Sequence, residues 1–441
     1  MVEGIRGERA ELDRTSKYAK PTHHSCSTAE SIMSARSAKM KRVAASNQPS
    51  LGQSAGTRMF SEDGSNAFIE ELIRVTEERF PDFSKTINIA MIGKVSSGKS
   101  SLINAILRRT RENPAVAVAA TSGVTKKLQC FRLHEQFLIV DSPGLDDVVQ
   151  ENSGETIEFL KHIDLGVLVV HGSPDASQKK HYDDLRHNTE KVLVVVNKID
   201  QWDTLRASGV EAVLAQWREM LGVDRAYPTC TIGFDPESEP DTKMDLRGVD
   251  EVRNEIETFF QDTGKDLLFA HLMGDKKPAV TNCIAVALAA VAVESFIPGS
   301  AILITATQAI AIAKLYYIYN GKSLNARSAL AALPSFAAKS IGMNLFLWGK
   351  TLIETTTLIT GPFIQVAIGS VGVAVAVSLT LGILATINFM FQQGYDLTQK
   401  DALQTKFGLL KDPARVIVSS ADISQMGNKD FWLRTLGEFL T

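Results

Sequence analysis

Four short apolar runs stand out between positions 85 and 200: INIAMIG (87–93), QFLIVD (136–141), LGVLVV (165–170) and KVLVVVN (191–197). They are rich in β-branched residues and of strand length, and their hydrophobicity is nearly continuous rather than alternating. That pattern predicts parallel strands buried on both faces. Helical patterns intervene, so residues 85–263 read as a doubly wound α/β domain with right-handed crossovers. Ahead of it, SNAFIEELIRVTEERF (65–80) puts Phe68, Leu72 and Val75 on one helical face, with Ile69 and Ile73 beside them, and Pro81 ends the segment. This predicts an amphipathic helix and linker over 63–84, packed on the domain that follows.

After a linker expected at 264–278, the pattern changes. Residues 279–396 contain three acids (Glu294, Glu354, Asp396) and five bases (Lys314, Lys322, Arg327, Lys339, Lys350). The runs 295–313 and 355–395 carry no charge at all. Within the second, residues 363–391 exceed the roughly 20 needed to span a bilayer. Gly369, Val373 and Val377, flanked by Gly372 and Ala376, suit close helix packing in lipid. The expectation is an all-α, hydrophobic, membrane-associated domain, with a hairpin turning near Gly382 as one arrangement of the long run. The rival is a buried soluble bundle: Pro298-Gly299 and Pro362 interrupt the segments, and Thr305, Gln308, Gln365 and Asn388 interleave. Residues 397–441 read as a soluble tail whose last helix has an apolar face of Trp432, Leu433, Leu436 and Leu440.

Composition adds little for the whole chain and more for its ends. The 441 residues suit two or three domains, and a net charge of −3 argues against a protein living mainly on nucleic acid. Cys26, Cys130, Cys230 and Cys283 are scattered, which argues against a zinc site or a disulfide framework and fits a reducing compartment. From Arg14 to Phe60 there are eight Lys/Arg, nine Ser and one acid, Glu30. Residues 1–62 therefore read as a disordered basic tail without a secretory signal. An organelle transit peptide, a lipid-touching polybasic arm, or an extension upstream of a start at Met33 or Met59 fit the same composition.

The chemistry concentrates at strand ends. Gly93-Lys94-Val95-Ser96-Ser97-Gly98-Lys99-Ser100-Ser101 follows one predicted strand and opens a predicted helix. The Gly-x4-Gly-Lys-Ser spacing is that of a P-loop, whose backbone N–H groups wrap phosphates at a helix N-terminus. Lys99 is then expected on the β and γ phosphates and Ser100 on Mg²⁺.

Asn197-Lys198-Ile199-Asp200 ends another predicted strand. Here the sequence resembles the NKxD motif of the translation-factor superfamily of GTPases, and the resemblance implies GTP/GDP with Mg²⁺ as ligands. An Asp200 carboxylate accepts both guanine N1–H and the 2-amino group on one edge of the base, and adenine has no donor on that edge. Asn197 and the Lys198 stem are expected to brace the P-loop and cover the base. Thr229, Cys230 and Thr231 are candidates for the loop that meets guanine O6. Asp141-Ser142-Pro143-Gly144 matches the family's DxxG, with Asp141 on Mg²⁺ and the Gly144 N–H on the γ-phosphate. The resemblance implies a mobile threonine that closes over Mg²⁺, expected at Thr125 with Thr121 open. Lys99, Thr125 and Gly144 are thus the expected catalytic set. Leu145 stands where Ras-type enzymes have a water-orienting glutamine, so unassisted hydrolysis is expected to be slow. Asp146 and Asp147 are further water-holding candidates.

The P-loop GKVSSGKSSLINAI is similar to dynamin-like ones, with Ser96 at the position where some relatives carry a cation-supporting asparagine. The arrangement of a G domain followed by an Ile297-Pro-Gly, Thr305-x-x-Gln308 and Tyr317-x-x-x-Gly321 block resembles Era-like GTPases with a YcjF-like C-terminal domain of unknown function. The resemblance implies a membrane-associated GTP-binding switch and slow GTPase, with lipid contact, G domain on the cytoplasmic or organelle matrix side. Self-association through G domains or C-terminal helices is implied too. The alternatives are an Era-like ribosome or RNA-associated assembly GTPase, and a GTP-gated membrane scaffold or pore-like oligomer.

Overall fold

The computed structural model describes residues 62–118, 129–142, 162–189, 191–234, 242–297, 300–333, 362–437 and 439–440. Expectations for residues 1–61, Thr121, Thr125, Gly144, Leu145, Asp146, Asp147 and Pro298-Gly299 lie outside the described residues. Helix α1 (Glu62–Glu78) matches the amphipathic segment.

The sheet is built from β1 (Ile87–Ile92), β2 (Gln129–His134), β3 (Phe137–Ser142), β4 (Leu165–Val170), β5 (Val192–Val196) and β6 (Tyr227–Pro228), in the order β2-β3-β1-β4-β5-β6. Every neighbour pairing from β3 to β6 is parallel. β2 pairs antiparallel with β3, so the sheet is mixed rather than all-parallel. QCFRLH carries charge and polarity because it is an edge strand and needs no continuous apolar run. Alternate side chains serve opposite faces. Ile87, Ile89 and Met91 join one core with Leu102, Ile103, Val252, Ile256 and Phe260. Ala90 and Ile92 join another with Leu185, Leu214 and Trp217. The covering helices are α2 (Lys99–Ile106), α3 (Ala176–Asn188), α4 (Ala207–Leu221) and α5 (Val249–Thr263). Two-sided coverage is what made the strands uniformly apolar.

The expected linker at 264–278 is not one. It contains α6 (Asp266–Leu272), and Leu268, Phe269, Leu272 and Met273 are buried in the same core as β1 and α5. The Gly274 N–H donates to Leu107 O at 2.7 Å and Arg109 to Leu272 O at 2.6 Å. The segment is short and interrupted, so its periodicity gave no helical signal, but its apolar residues complete the G domain.

The apolar block forms α7 (Lys277–Glu294), α8 (Ala301–Asn320), α9 (Ala326–Ala332) and α10 (Pro362–Gln392), followed by α11 (Lys400–Ser419) and α12 (Lys429–Leu436). One hydrophobic core unites them. α10 is continuous through Gly382, which corrects the hairpin expectation. A Cβ at Gly382 would meet the Phe407 ring at 3.1 Å and Lys411 Cα at 3.5 Å, so the missing side chain admits α11 rather than making a turn. The chain turns after Gln392, and α11 folds back along α10. The expected soluble tail is thus part of the bundle: Leu403, Phe407, Ala414, Trp432 and Leu436 lie in its core. Interleaved polar groups are paired inside. Arg79 meets Glu294 at 2.8 Å, Gln308 donates to Thr380 at 2.9 Å, and Tyr319 to Asn388 at 2.6 Å. Among the described residues, α7, α8 and Gly372–Gln392 of α10 are long and apolar enough to cross a membrane.

Candidate nucleotide site

β1 ends at Ile92 and the chain wraps tightly before α2 begins at Lys99. A Cβ at Gly93 would fall 2.0 Å from Val169 O, so only glycine lets the loop leave the sheet here. Ser96 and Gly98 both have positive φ, 62° and 88°, which turns successive N–H groups toward one concavity. Ser97 N donates to Lys94 O at 3.1 Å. Buried Lys99 threads back through the loop and donates to Gly93 O at 2.9 Å and Lys94 O at 3.1 Å. Lys94 itself points outward and pairs with Asp175, the side-chain N-cap of α3. That pairing holds the Asp175 carboxyl below its usual range, chiefly through the Lys94 hydrogen bond. Ser101 follows in the first turn of α2.

Parallel pairing of β1 with β3 sets Met91 opposite Asp141, so Asp141 arrives beside the start of α2. Ser100 Oγ donates to Asp141 Oδ2 at 3.0 Å, and Lys99 Nζ lies 3.5 Å from Oδ1. Burial pushes the Lys99 ammonium down and the Asp141 carboxyl up, against the attraction between them. Asp141 Oδ1 and Ser97 Oγ are buried without a hydrogen-bond partner among the described residues. The Asp141 carboxylate and the Ser100 hydroxyl, 3.0 Å apart, form a hard-oxygen donor pair that fits Mg²⁺. Phosphate oxygens are the natural acceptors for Lys99 once its loop carbonyls are exchanged for them.

The third strand end carries the base side. Asn197 is fully buried, and its Nδ2 donates to Ser97 O at 3.0 Å and Thr231 Oγ1 at 3.1 Å. Thr229 donates to Asn197 Oδ1 at 3.1 Å. A Cβ at Gly98 would sit 2.3 Å from Asn197 Nδ2, so this side chain presses on the P-loop. Lys198 takes φ 64° as the N-cap of a 3₁₀ turn, Ile199–Trp202, whose second residue is Asp200. The Ile199 N–H donates to Thr229 O at 3.2 Å, and Cys230 Sγ lies 3.5 Å from Asp200 Oδ1. Burial pushes the Cys230 thiol up to about 12, with the Asp245 and Asp200 carboxylates adding to it, so it stays a neutral donor toward Asp200. His171, after β4, is held below its ordinary value by burial and by the Lys198 and Lys94 charges.

The structure therefore brings Gly93, Lys94, Ser96, Ser97, Gly98, Lys99, Ser100, Ser101, Asp141, Asn197, Lys198, Asp200, Thr229 and Cys230 to one end of the sheet. Thr125 and Gly144 are outside the described residues. Sequence reading overlooked Asn104, whose Oδ1 accepts from Ala115 N at 2.7 Å and Val116 N at 3.1 Å and whose Nδ2 donates to Val116 O. The signal was present: an asparagine inside the apolar face of a helix. It also overlooked Asp175 and Arg247, which carry no motif.

The family described as 50S ribosome-binding GTPase matches residues 88–198. An EngB GTP-binding protein of Bacillus cereus (strain G9842) is 32% identical over 138 residues, 29% of this chain and 68% of that one. The chain belongs to this GTPase family. The part of the chain that the family model covers, residues 88–198, lies within its G domain. GTPase Der of Nautilia profundicola is 32% identical over 124 residues, and the chain spans only 26% of its length. Among solved structures, LeoA, a bacterial dynamin GTPase from ETEC, is similar over 82% of this chain and 73% of that one, with 15% identity and a TM-score of 0.30. Era of Aquifex aeolicus, bound to GDP and AlF4⁻, is similar over 36% of this chain and 62% of that one, with 20% identity and a TM-score of 0.25.

Proposed function

We propose that the chain is a membrane-associated GTP switch with slow intrinsic hydrolysis. The observation that carries this reading is a clamp between the switch strands and the apolar bundle. β2 and β3 run from the nucleotide end of the sheet to a hairpin at His134–Phe137. That far end is bound to the C-terminal end of α8. Tyr317 Oη donates to Gln136 Oε1 at 3.1 Å, and His134 Nε2 lies 3.2 Å from Gly321 O. The His134 and His271 rings meet at 5.4 Å, and His271 Nδ1 lies 3.1 Å from Ile318 O. Phe83 stacks on Tyr317 at 4.7 Å. Thr125 precedes β2 and Gly144 follows β3 along the chain, and both are γ-phosphate sensors in this reading. Movement at the nucleotide ends of these strands is then felt by α8, an apolar helix of spanning length. Val293, Phe296 and Ile297, exposed at the end of α7, add apolar surface for lipid.

In the site, Lys99 and the P-loop N–H groups hold the β and γ phosphates and stabilise charge that develops on them. Asp200 selects guanine, with Asn197, Lys198, Thr229 and Cys230 shaping its pocket. Ser100, Asp141 and Thr125 would hold Mg²⁺, which supplies charge neutralisation on the phosphate oxygens. Leu145 cannot orient water, which makes turnover slow.

The test is vesicle partitioning of the full chain in GTP-analogue and GDP states, with His134→Ala beside wild type. Nucleotide-dependent partitioning that His134→Ala abolishes while keeping GTP affinity supports the reading. Equal partitioning in both states sinks it. A second reading, a ribosome-associated factor, is favoured by the family's description and would show as salt-sensitive ribosomal RNA copurification.

A further inference from the structure

We infer that Arg247 is a positioning residue for base selectivity: it fixes the turn that carries Asp200. The inference rests on the reading of Asp200 as the guanine acceptor. Arg247 lies 47 positions beyond that residue, outside every nucleotide motif. Its guanidinium binds both oxygens of Asp203, Nη1 to Oδ1 at 2.8 Å and Nη2 to Oδ2 at 2.9 Å. Asp203 caps the 3₁₀ turn and donates its N–H to Asp200 O at 3.2 Å. The same guanidinium binds Asp245, with Nε 2.9 Å from Oδ2 and Nη2 2.7 Å from Oδ2.

The backbone around Arg247 closes the ring. Cys230 N donates to Arg247 O at 2.9 Å, and Ile232 exchanges backbone hydrogen bonds with Asp245 at 3.1 and 3.2 Å. Cys230 Sγ returns to Asp200. The turn holding Asp200 and the loop holding Thr229–Thr231 are therefore tied through one planar cation. A single exposed ion pair does little, but a bidentate fork bridging two carboxylates fixes orientation. Orientation is what Asp200 needs, because both of its oxygens must face the two guanine donors at once.

Inosine triphosphate isolates that geometry, since hypoxanthine lacks the exocyclic amine and engages one oxygen only. Competition binding of GTP and inosine triphosphate to the full chain gives the readout. Wild type should prefer GTP by about ten- to a hundredfold, the worth of one hydrogen bond to a charged group. Arg247→Ala and Asp203→Asn should each shrink that ratio to a few-fold, by weakening GTP and barely touching inosine triphosphate. In turnover, KM for GTP should rise far more than kcat falls. Arg247→Lys, which cannot fork, should be intermediate. Variants that keep the wild-type ratio, or that weaken both nucleotides equally, overturn the inference. A wild type without any GTP preference overturns the guanine reading beneath it.

Discussion

Asn197 shows how one side chain joins motifs that are distant in the chain. It bonds Ser97 of the P-loop and Thr229 and Thr231 of the base loop, while fully buried. Its role as a brace was legible from its place in the motif. Its partners Thr229 and Thr231 were legible only as candidates for the loop that meets guanine O6, because nothing along the chain marks a contact with Asn197. Lys276 is the opposite case: nothing in the sequence marks it. It lies between the G domain and α7, donating to His271 O and to Met273 O at 3.1 Å. Burial, then the Arg109 charge, pushes its ammonium down to about 8 from an ordinary 10.5. Below pH 8 both folded and unfolded chains carry this proton, and the folded state bears the whole burial cost. Between pH 8 and 10.5 the unfolded chain holds more protons, so stability rises with pH. The melting temperature of wild type should therefore gain on that of Lys276→Met across this window. Parallel curves for the two proteins would refute the assignment.

At the scale of elements, the apolar runs predicted strands well because two helical layers cover the sheet. β2 lacks such a run because an edge strand needs none. Gly382 was ambiguous for a physical reason. Glycine in a helix costs about 1 kcal/mol relative to alanine, so it reads as a breaker until a neighbour needs the space. Here Phe407 and Lys411 of α11 occupy that space. Gly382→Leu should separate α10 from α11 and cost about 1–3 kcal/mol, the usual range for overpacking a filled contact. Denaturant unfolding reads this directly. An unchanged midpoint would mean that the two helices are not packed as described.

At the scale of the molecule, the boundary between domains lies elsewhere than composition suggested. The charge-poor block begins near 279, yet α6 before it belongs to the G-domain core. A fragment ending after Gly264 loses Leu268, Phe269, Leu272 and Met273 from that core. Burying each such side chain is worth about 1.5–3 kcal/mol. It should melt well below a fragment ending after Asp275, and it should bind GTP only weakly. Thermal shift with and without GDP compares the two, and equal melting points would show α6 to be dispensable.

The sequence by itself determined the P-loop GTPase class and the α/β fold that carries it. Glycine spacing, a lysine and two strand-end carboxylates are local patterns, and parallel strands must deliver their ends to one edge. It also determined that the C-terminal block is helical and apolar. Tertiary structure alone decided which groups tie these pieces together. Tyr317 and Gln136 are 181 positions apart, and Arg247 and Asp203 are 44 apart. Such pairs leave no periodicity behind, because a single polar contact needs two side chains to meet in space and nothing else along the chain.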